Sequence, residues 1–410
     1  MSVKPLTCHW YACLVLLAVL VITCDSSRHI DHELDAGFND YVQEALDDWG
    51  APGIMIVVVK GDQTVYMKGH GSRVLGADRP IDETTIIQIA SHTKPVTATA
   101  VAMLVDEGRL SWDDPVKMHI PEFELPDPYA AEHATIRDVL SHQVGLPSAP
   151  GGFTDPDFDF SALVTALSTR PLVGDFRDGC NYSNAGYAVV GEVVSRVSGM
   201  SWEQFIKKRV FDPLGMWSSY TSTPDMITHL GPPTVDKNIF MPVEENGDSV
   251  VLGNWINASC GVLYAPAGGI LTTGNDISKW MVFQLQNGTF GGERLVSEES
   301  LWETRKPEVV YDLWFHSENN PLAHTAAYGL GWVSFEYQGR VVYEHPGGWM
   351  SSNIAFVPEE NLAVGTFTNA NFNSGLRSIG LVSALKMEIL ERLLGAPDED
   401  WSELFLNERN

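Results

Sequence analysis

Basic side chains are scarce in this sequence of 410 residues. It has 26 Lys and Arg against 53 Asp and Glu, so its formal net charge is −27 at pH 7. Binding to nucleic acid or to an anionic membrane needs a basic surface, and the charge therefore argues against both. The apolar fraction of 44% excludes disorder for most of the chain. The length allows two or three ordinary domains, or one large domain with two lobes.

Several enzyme signatures are absent from the sequence. There is no G-x-x-x-x-G-K-[ST] for phosphate binding, no H-E-x-x-H for zinc and no His-x-His-x-Asp-His cluster. No serine lies in G-x-S-x-G, which excludes the nucleophile turn of the α/β-hydrolases. The sequence predicts neither a metal site nor a cofactor.

Long apolar runs are also missing, apart from ACLVLLAVLVIT at residues 12–23. Twelve residues are too few to span a bilayer, which needs about 20. The run fits the apolar part of a signal peptide, so we expect residues 1–24 to be removed and the protein to be secreted. One alternative is a slightly longer membrane anchor that includes Trp10 and Tyr11. Another is a bacterial lipid anchor at Cys24; in a bacterium the protein would be periplasmic or lipid-anchored.

Of the five cysteines, Cys180 and Cys260 follow this segment. In an oxidising compartment they are expected to form a disulfide; the alternative is two buried thiols. Glycosylation sequons begin at Asn181, Asn257 and Asn287. Asn287, in a turn after a helical stretch, is the strongest candidate.

The apolar spacing predicts strands near both ends of the chain. Helical periodicity covers 32–48, 92–106 and 375–393, and a hairpin is predicted at 54–60 and 64–69. Consecutive antiparallel strands are predicted at 329–337, 340–345, 353–358 and 362–367. We therefore expect an α/β (α+β) fold whose antiparallel sheet is built from both chain ends and flanked by helices. A single domain (25–410) would comprise an α/β lobe (30–110 and 270–395) and a largely helical lobe (110–270).

One serine motif can carry chemistry. Ser91-His92-Thr93-Lys94 is an S-x-x-K at the start of a predicted helix. Residues i and i+3 share a helical face, so the amine lies beside the hydroxyl and can act as its base. The tetrapeptide alone is weak evidence, because a second one, Ser383 to Lys386, lies within the last predicted helix.

Two further motifs follow in order: Tyr182-Ser183-Asn184, and His345-Pro346-Gly347-Gly348 after the strand RVVYE. With S-x-x-K, they make the chain resemble the serine β-lactamase and penicillin-binding-protein family, in particular its class C-like esterase and peptidase branch. The stretches TIRDVLSHQVGLP, FDPLGMWSS, PAGGILTTGNDISKW and YGLGW resemble that family too. The resemblance covers about residues 33–393 and implies the β-lactamase/transpeptidase-like fold.

The resemblance also implies roles for these residues. Ser91 corresponds to the acylated nucleophile and Lys94 to its base, while Tyr182 would pass a proton to the leaving group and activate water. Asn184 would orient Lys94 and the substrate. His345 occupies the place where many members have Lys, and the N–H groups of Ser91 and Gly348, beside Gly347, would form the oxyanion hole.

The third motif departs from the family pattern, because Pro346 has neither hydroxyl nor N–H and His345 is mostly neutral at pH 7. We therefore expect a secreted serine hydrolase acting on an ester or peptide rather than an efficient β-lactamase. The alternative is a non-catalytic acidic protein on the same fold, with an extracellular, mineral-associated matrix or divalent cations as partners.

Overall fold

The computed structural model describes residues 30, 33–153, 155, 157–246, 249–252, 262–311, 326–348, 350–371, 376–395 and 399–407. The apolar run at 12–23, Asn257 and Cys260 lie outside this part. The signal peptide, the disulfide and the use of the Asn257 sequon therefore stay predictions.

Strands β1 to β15 of the described residues are, in chain order, Gly53–Lys60, Gln63–Gly71, Ile87–Gln88, Val243–Asn246, Ser249–Leu252, Leu271–Thr272, Thr289–Phe290, Glu293–Arg294, Val309–Val310, Ala327–Tyr328, Val333–Tyr337, Arg340–Gly347, Ser352–Val357, Leu362–Thr368 and Ala370–Asn371. Eight of them form one antiparallel sheet, in the order β2-β1-β14-β13-β12-β11-β10-β9. Within this sheet β1 pairs with β14, so strands from near the two ends of the chain are neighbours, as predicted.

Helices flank both faces of this sheet. Helices α1 to α15 of the described residues are Ala36–Trp49, Thr93–Asp106, Val116–His119, Pro128–His133, Ile136–Leu140, Phe160–Thr169, Asn184–Ser198, Trp202–Ile206, Asp212–Leu214, Thr223–Leu230, Ala265–Gly268, Gly274–Leu285, Glu298–Glu303, Leu376–Leu394 and Trp401–Asn407. Short 3₁₀ turns lie at Ala90–His92, Val262–Tyr264 and Pro358–Glu360, and a π-helical turn at Lys207–Phe211.

The alternation of side chains along the strands separates two apolar cores. On one face α1, α14 and α15 pack against Ile54, Ile56 and Val58 of β1. On the other face α2 and α12 pack against Met55 and Val57 of the same strand. Because successive strand residues point to opposite faces, an unbroken apolar run indicates a strand that is buried on both sides.

Helix α2 lies at the centre of the second core. Its residues from Thr93 to Leu104 are all buried, including three threonines and Lys94. A helix that is buried on every side has no solvent-exposed stripe, so polar groups along it must find partners within the protein. This burial fixes the position of the residues at its N-terminal end.

The regular structure of the long segment between α2 and β6 is mostly helical, as predicted, and it comprises α3 to α11. It also contains the hairpin of β4 and β5, which pairs with β15 in a separate three-stranded sheet. This hairpin was not predicted, because its two strands have only four residues each and carry no long alternating pattern.

The prediction of a strand at 329–337 is wrong for residues 329–332, because β11 begins at Val333. Residues 329–332 form a turn between β10 and β11 instead of a continuous strand. Gly331 has a φ of 111°, and a Cβ there would lie 3.2 Å from the carbonyl oxygen of Lys94. The turn brings YGLGW against the start of α2, which a straight strand would not do.

The second S-x-x-K is not arranged as a serine–lysine pair. Ser383 lies on α14, where its hydroxyl accepts a hydrogen bond of 3.0 Å from the Asn353 amide. Lys386 instead forms a buried ion pair with Glu344 of β12, at 2.6 Å. Within the described residues, no helix is long and apolar enough to cross a membrane.

Lys386→Met should lower the free energy of unfolding by about 3–5 kcal/mol, because it leaves the Glu344 carboxylate buried without its cation. Chemical denaturation measures this. Lys60→Met is the control: Lys60 lies 3.8 Å from Glu360 in a partly exposed pair, so about 0–1 kcal/mol is expected. Equal losses in the two variants, or no recovery on adding Glu344→Gln to Lys386→Met, would contradict this role for the pair.

Candidate active site

Ser91 lies in a strained turn at the entrance to α2. It is half-buried in the 3₁₀ turn Ala90–His92, which directly precedes the helix. Ala90 has a φ of 44°, a left-handed conformation that costs free energy for a residue with a side chain. The hydroxyl of Ser91 is thus carried on a turn whose geometry the surrounding structure enforces.

Lys94 is fully buried one turn later, and its amine lies among three oxygen atoms. Its Nζ is 3.2 Å from Oγ of Ser91, 2.7 Å from Oδ1 of Asn184 and 2.8 Å from the carbonyl oxygen of Ala267. These oxygens belong to the Ser91 turn, to the first residue of α7 and to α11. The amine therefore connects three separate elements.

This arrangement suits a lysine that exchanges a proton with Ser91. A charged ammonium has three N–H donors, one for each oxygen. A neutral amine has two, which can serve Asn184 and the Ala267 carbonyl, because neither of these oxygens has a proton to give. The lone pair then faces the Ser91 hydroxyl and can accept its proton.

Asn184 is held in place from both sides. Ser183 caps α7 by accepting a hydrogen bond from the N–H of Gly186, at 3.2 Å, and its own hydroxyl donates to the carbonyl of Pro147. The Asn184 amide nitrogen donates to the exposed hydroxyl of Ser148, at 3.3 Å. Because the amide nitrogen of Asn184 donates to Ser148, the amide oxygen is directed to Lys94.

Tyr182 lies beside the same amine. Nζ of Lys94 is 4.7 Å from the centroid of the Tyr182 ring and 5.3 Å from that of Tyr187. Tyr328 meets the Tyr182 ring edge to face, at 6.3 Å. Burial raises the pKa of Tyr187 and of Tyr328 well above the usual value, so both stay protonated. Of these three tyrosines, only Tyr182 is half-buried and reaches solvent.

The end of β12 abuts the Ser91 turn. A Cβ on Gly347 would lie 2.7 Å from the carbonyl oxygen of Ile89 and 2.8 Å from Cβ of Ala90, so only glycine fits. Ser352, the β13 partner of Gly347, donates to the same Ile89 carbonyl at 2.7 Å. Gly348 follows in the turn after the strand, half-buried beside this contact.

His92 connects the Ser91 turn to the end of β12 by a hydrogen bond. Its Nε2 accepts a hydrogen bond from the indole N–H of Trp280, so its proton is on Nδ1, which donates to the carbonyl of His345 at 3.3 Å. Burial lowers the pKa of His92 to about 3, and the ring stays neutral. The S-x-x-K turn and the third motif are thus fixed to each other.

His345 does not present a cation to the site. Its Nδ1 donates to the carbonyl of Pro346 at 2.7 Å, and its Nε2 accepts from the Tyr328 hydroxyl at 3.0 Å. Burial, and then the charge of Lys94, hold the pKa of His345 well below its usual value. Both nitrogens are engaged, and the ring is neutral.

The remaining predicted residues lie around this site or away from it. Cys180 is half-buried two residues before Tyr182, and its predicted partner is outside the described residues. Asn287 lies in a left-handed turn after α12, as expected, where its amide donates to Glu298 at 3.1 Å. The described residues hold no group of three or more His, Cys, Asp or Glu that could bind a metal, so nothing supports the cation partner.

The sequence did not identify four residues of the site: His142, Ser148, Ala267 and Tyr328. His142, Ala267 and Tyr328 lie within stretches that resemble the family, and Ser148 directly follows one of them; this was the only signal available for these residues. Ala267 contributes a backbone carbonyl, which no side-chain pattern can reveal. The other three acquire their contacts only when distant loops meet.

The chain is similar to several known proteins. A family model described as "Beta-lactamase" matches residues 38–382. The chain is 26% identical to the unguisins hydrolase ungD' of Aspergillus campestris over 386 residues, which are 91% of this chain and 68% of that one. It is 26% identical to penicillin-binding protein 4 of Amycolatopsis lactamdurans over 362 residues, covering 84% of this chain and 85% of that one.

A solved structure shows a similar fold. The octameric penicillin-binding protein homologue from Pyrococcus abyssi superposes with a TM-score of 0.72 at 26% identity. The alignment covers 92% of this chain and 81% of that one.

Lys94→Met should slow labelling of Ser91 by a fluorophosphonate probe about 100- to 10,000-fold, because the variant removes the group placed to take the hydroxyl proton. Peptide mass spectrometry of timed samples gives the rate. Lys279→Met is the control, since Lys279 also donates to a backbone carbonyl, that of Gly215, but from α12. Unchanged labelling in Lys94→Met would rule out this role.

Proposed function

The chain belongs to the beta-lactamase family, and we propose that it is a serine hydrolase whose Ser91 forms an acyl-enzyme with an ester or amide substrate. The carrying observation is the placement of the buried Lys94 amine between Ser91 Oγ and two acceptors that cannot give it a proton. The relative named as a hydrolase supports the same class of reaction.

Acylation begins when Oγ of Ser91 attacks the substrate carbonyl carbon and its proton passes to Lys94. The carbonyl oxygen becomes negative, and the backbone N–H groups of Ser91 and Gly348 are the proposed donors to it. The tetrahedral intermediate then collapses, the bond to the leaving alcohol or amine breaks, and that group takes the hydroxyl proton of Tyr182, which is left as a phenolate beside the Lys94 ammonium.

Deacylation reverses the roles of these groups. A water molecule loses a proton to the Tyr182 phenolate and attacks the ester carbonyl carbon. The bond to Ser91 Oγ breaks, and Lys94 gives that oxygen the proton it took during acylation. Tyr182 suits both steps, because it is half-buried and lies against the Lys94 amine.

The third motif supports a substrate without a carboxylate next to the reacting bond. A β-lactam carboxylate needs a hydroxyl donor and a cation at this strand. Here Pro346 supplies no hydroxyl, and His345 is neutral with both nitrogens engaged. A missing charge-assisted hydrogen bond costs about 1.5–3 kcal/mol, which is roughly ten- to a hundredfold in rate.

We therefore expect p-nitrophenyl acetate or butyrate to be hydrolysed and a chromogenic cephalosporin to be processed poorly, measured as kcat/KM for each. Ser91→Ala is the control and should lose both activities. Pro346→Thr restores a hydroxyl at this half-buried position and should raise cephalosporin turnover about tenfold relative to ester turnover.

A wild-type protein that hydrolyses the cephalosporin faster than the esters would show that another group recognises the carboxylate. The substrate class proposed from the third motif would then be wrong. Activity that survives Ser91→Ala would instead overturn the assignment of the nucleophile.

A further inference from the structure

His142 lies beneath Tyr182 in a conformation that the loop alone does not favour. It follows α5, has a φ of 63° and is 2% exposed. Left-handed backbone is uncommon for residues other than glycine, and a buried histidine must also place two ring nitrogens. Both features suggest that contacts of this residue, rather than local propensity, hold it in place.

These contacts fall on three consecutive residues around the second motif. The carbonyl of His142 accepts the N–H of Asn181 at 2.8 Å, and its Nδ1 accepts the N–H of Ser183 at 3.1 Å. Between them, the imidazole lies against the Tyr182 ring, with centroids 4.4 Å apart. One residue thus holds the backbone on both sides of Tyr182 and also packs against its ring.

The hydrogen bond from Ser183 determines the tautomer of His142. Because Nδ1 accepts, the proton of the neutral ring is on Nε2. That buried N–H has no hydrogen-bond partner among the described residues, and it is surrounded by the rings of Tyr182, Tyr187 and Tyr328. Burial, and then the charge of Lys94, keep the pKa of His142 well below its usual value, so Nδ1 stays an acceptor.

A buried N–H without an acceptor and a left-handed φ both destabilise the folded protein. Asparagine would tolerate this φ better and could offer an oxygen near the position of Nδ1. Asparagine lacks the ring, however, and only the ring contacts Tyr182. A histidine at this position is therefore explained by its contact with Tyr182 and not by packing alone.

We propose that His142 is a positioning residue, which sets the orientation of Tyr182 against Lys94 by holding residues 181–183 and by packing on the Tyr182 ring. This inference rests on the proposed role of Tyr182 in proton transfer. His142 itself need not touch the substrate, so its effect on catalysis should be exerted through Tyr182.

A double-mutant cycle between His142→Phe and Tyr182→Phe tests this dependence. His142→Phe keeps a ring but loses the acceptor for the Ser183 N–H. We expect kcat for p-nitrophenyl butyrate, per labelled Ser91, to fall about ten- to a hundredfold with a small change in KM. In the Tyr182→Phe background the same substitution should change kcat by less than about threefold, because the hydroxyl it positions is gone.

His142→Asn is the second variant, since it can accept the Ser183 N–H and tolerates the left-handed backbone. It should recover part of the kcat that His142→Phe loses. His70→Phe is the matched control: His70 is also buried and binds a tyrosine hydroxyl, that of Tyr66 at 3.0 Å, but it lies on β2. It should lower the melting temperature and leave kcat per labelled site unchanged.

The outcomes separate this inference from the proposed function. If wild-type Ser91 is labelled and active, but His142→Phe lowers kcat equally with and without the Tyr182 hydroxyl, positioning through Tyr182 is wrong while the serine hydrolase stands. The same holds if His142→Phe lowers only the melting temperature. If wild-type Ser91 is neither labelled nor acylated, the proposed function itself fails.

Discussion

The buried amine of Lys94 is the group on which the arrangement of the site depends. A lysine with no exposed surface is costly to bury unless its donors are satisfied. Its three acceptors come from the Ser91 turn, from the start of α7 and from α11, so these elements must pack closely around α2. Gly191 permits this packing, because a Cβ there would lie 2.4 Å from the Pro266 ring. The helical segment and the sheet are thereby joined at one side chain.

The charge of Lys94 also affects the pKa of the two histidines around it. It contributes to the low pKa of His142 and of His345, after the larger effect of burial. Both histidines are therefore neutral, and each can use one ring nitrogen as an acceptor and the other as a donor. His345 therefore supplies no cation at the third motif, which is the basis for the proposed preference for substrates without a carboxylate.

Much of this organisation could be predicted from the sequence. The strands with unbroken apolar runs and the longest helices follow from local periodicity, and the first two motifs identified Ser91, Lys94 and Asn184, which the fold brings together. The β4 and β5 hairpin and the turn at 329–332 were missed, because their conformations are set by tertiary pairing. Likewise, the Ala267 carbonyl, His142 and the link between Tyr328 and His345 depend on contacts between distant loops. The strain at Ala90 is a backbone property that no residue type signals.

The acyl-enzyme on Ser91 is tested most directly by mass spectrometry of the protein quenched during turnover of p-nitrophenyl butyrate. Tyr182→Phe should slow deacylation, so the intact protein is expected to gain the mass of one butyryl group, and the modified peptide should contain Ser91. The adduct should be absent from Ser91→Ala. An adduct on another residue, such as the exposed Ser148 beside Asn184, would contradict this mechanism. So would ester turnover by the wild type and by Tyr182→Phe with no adduct in either of these two proteins.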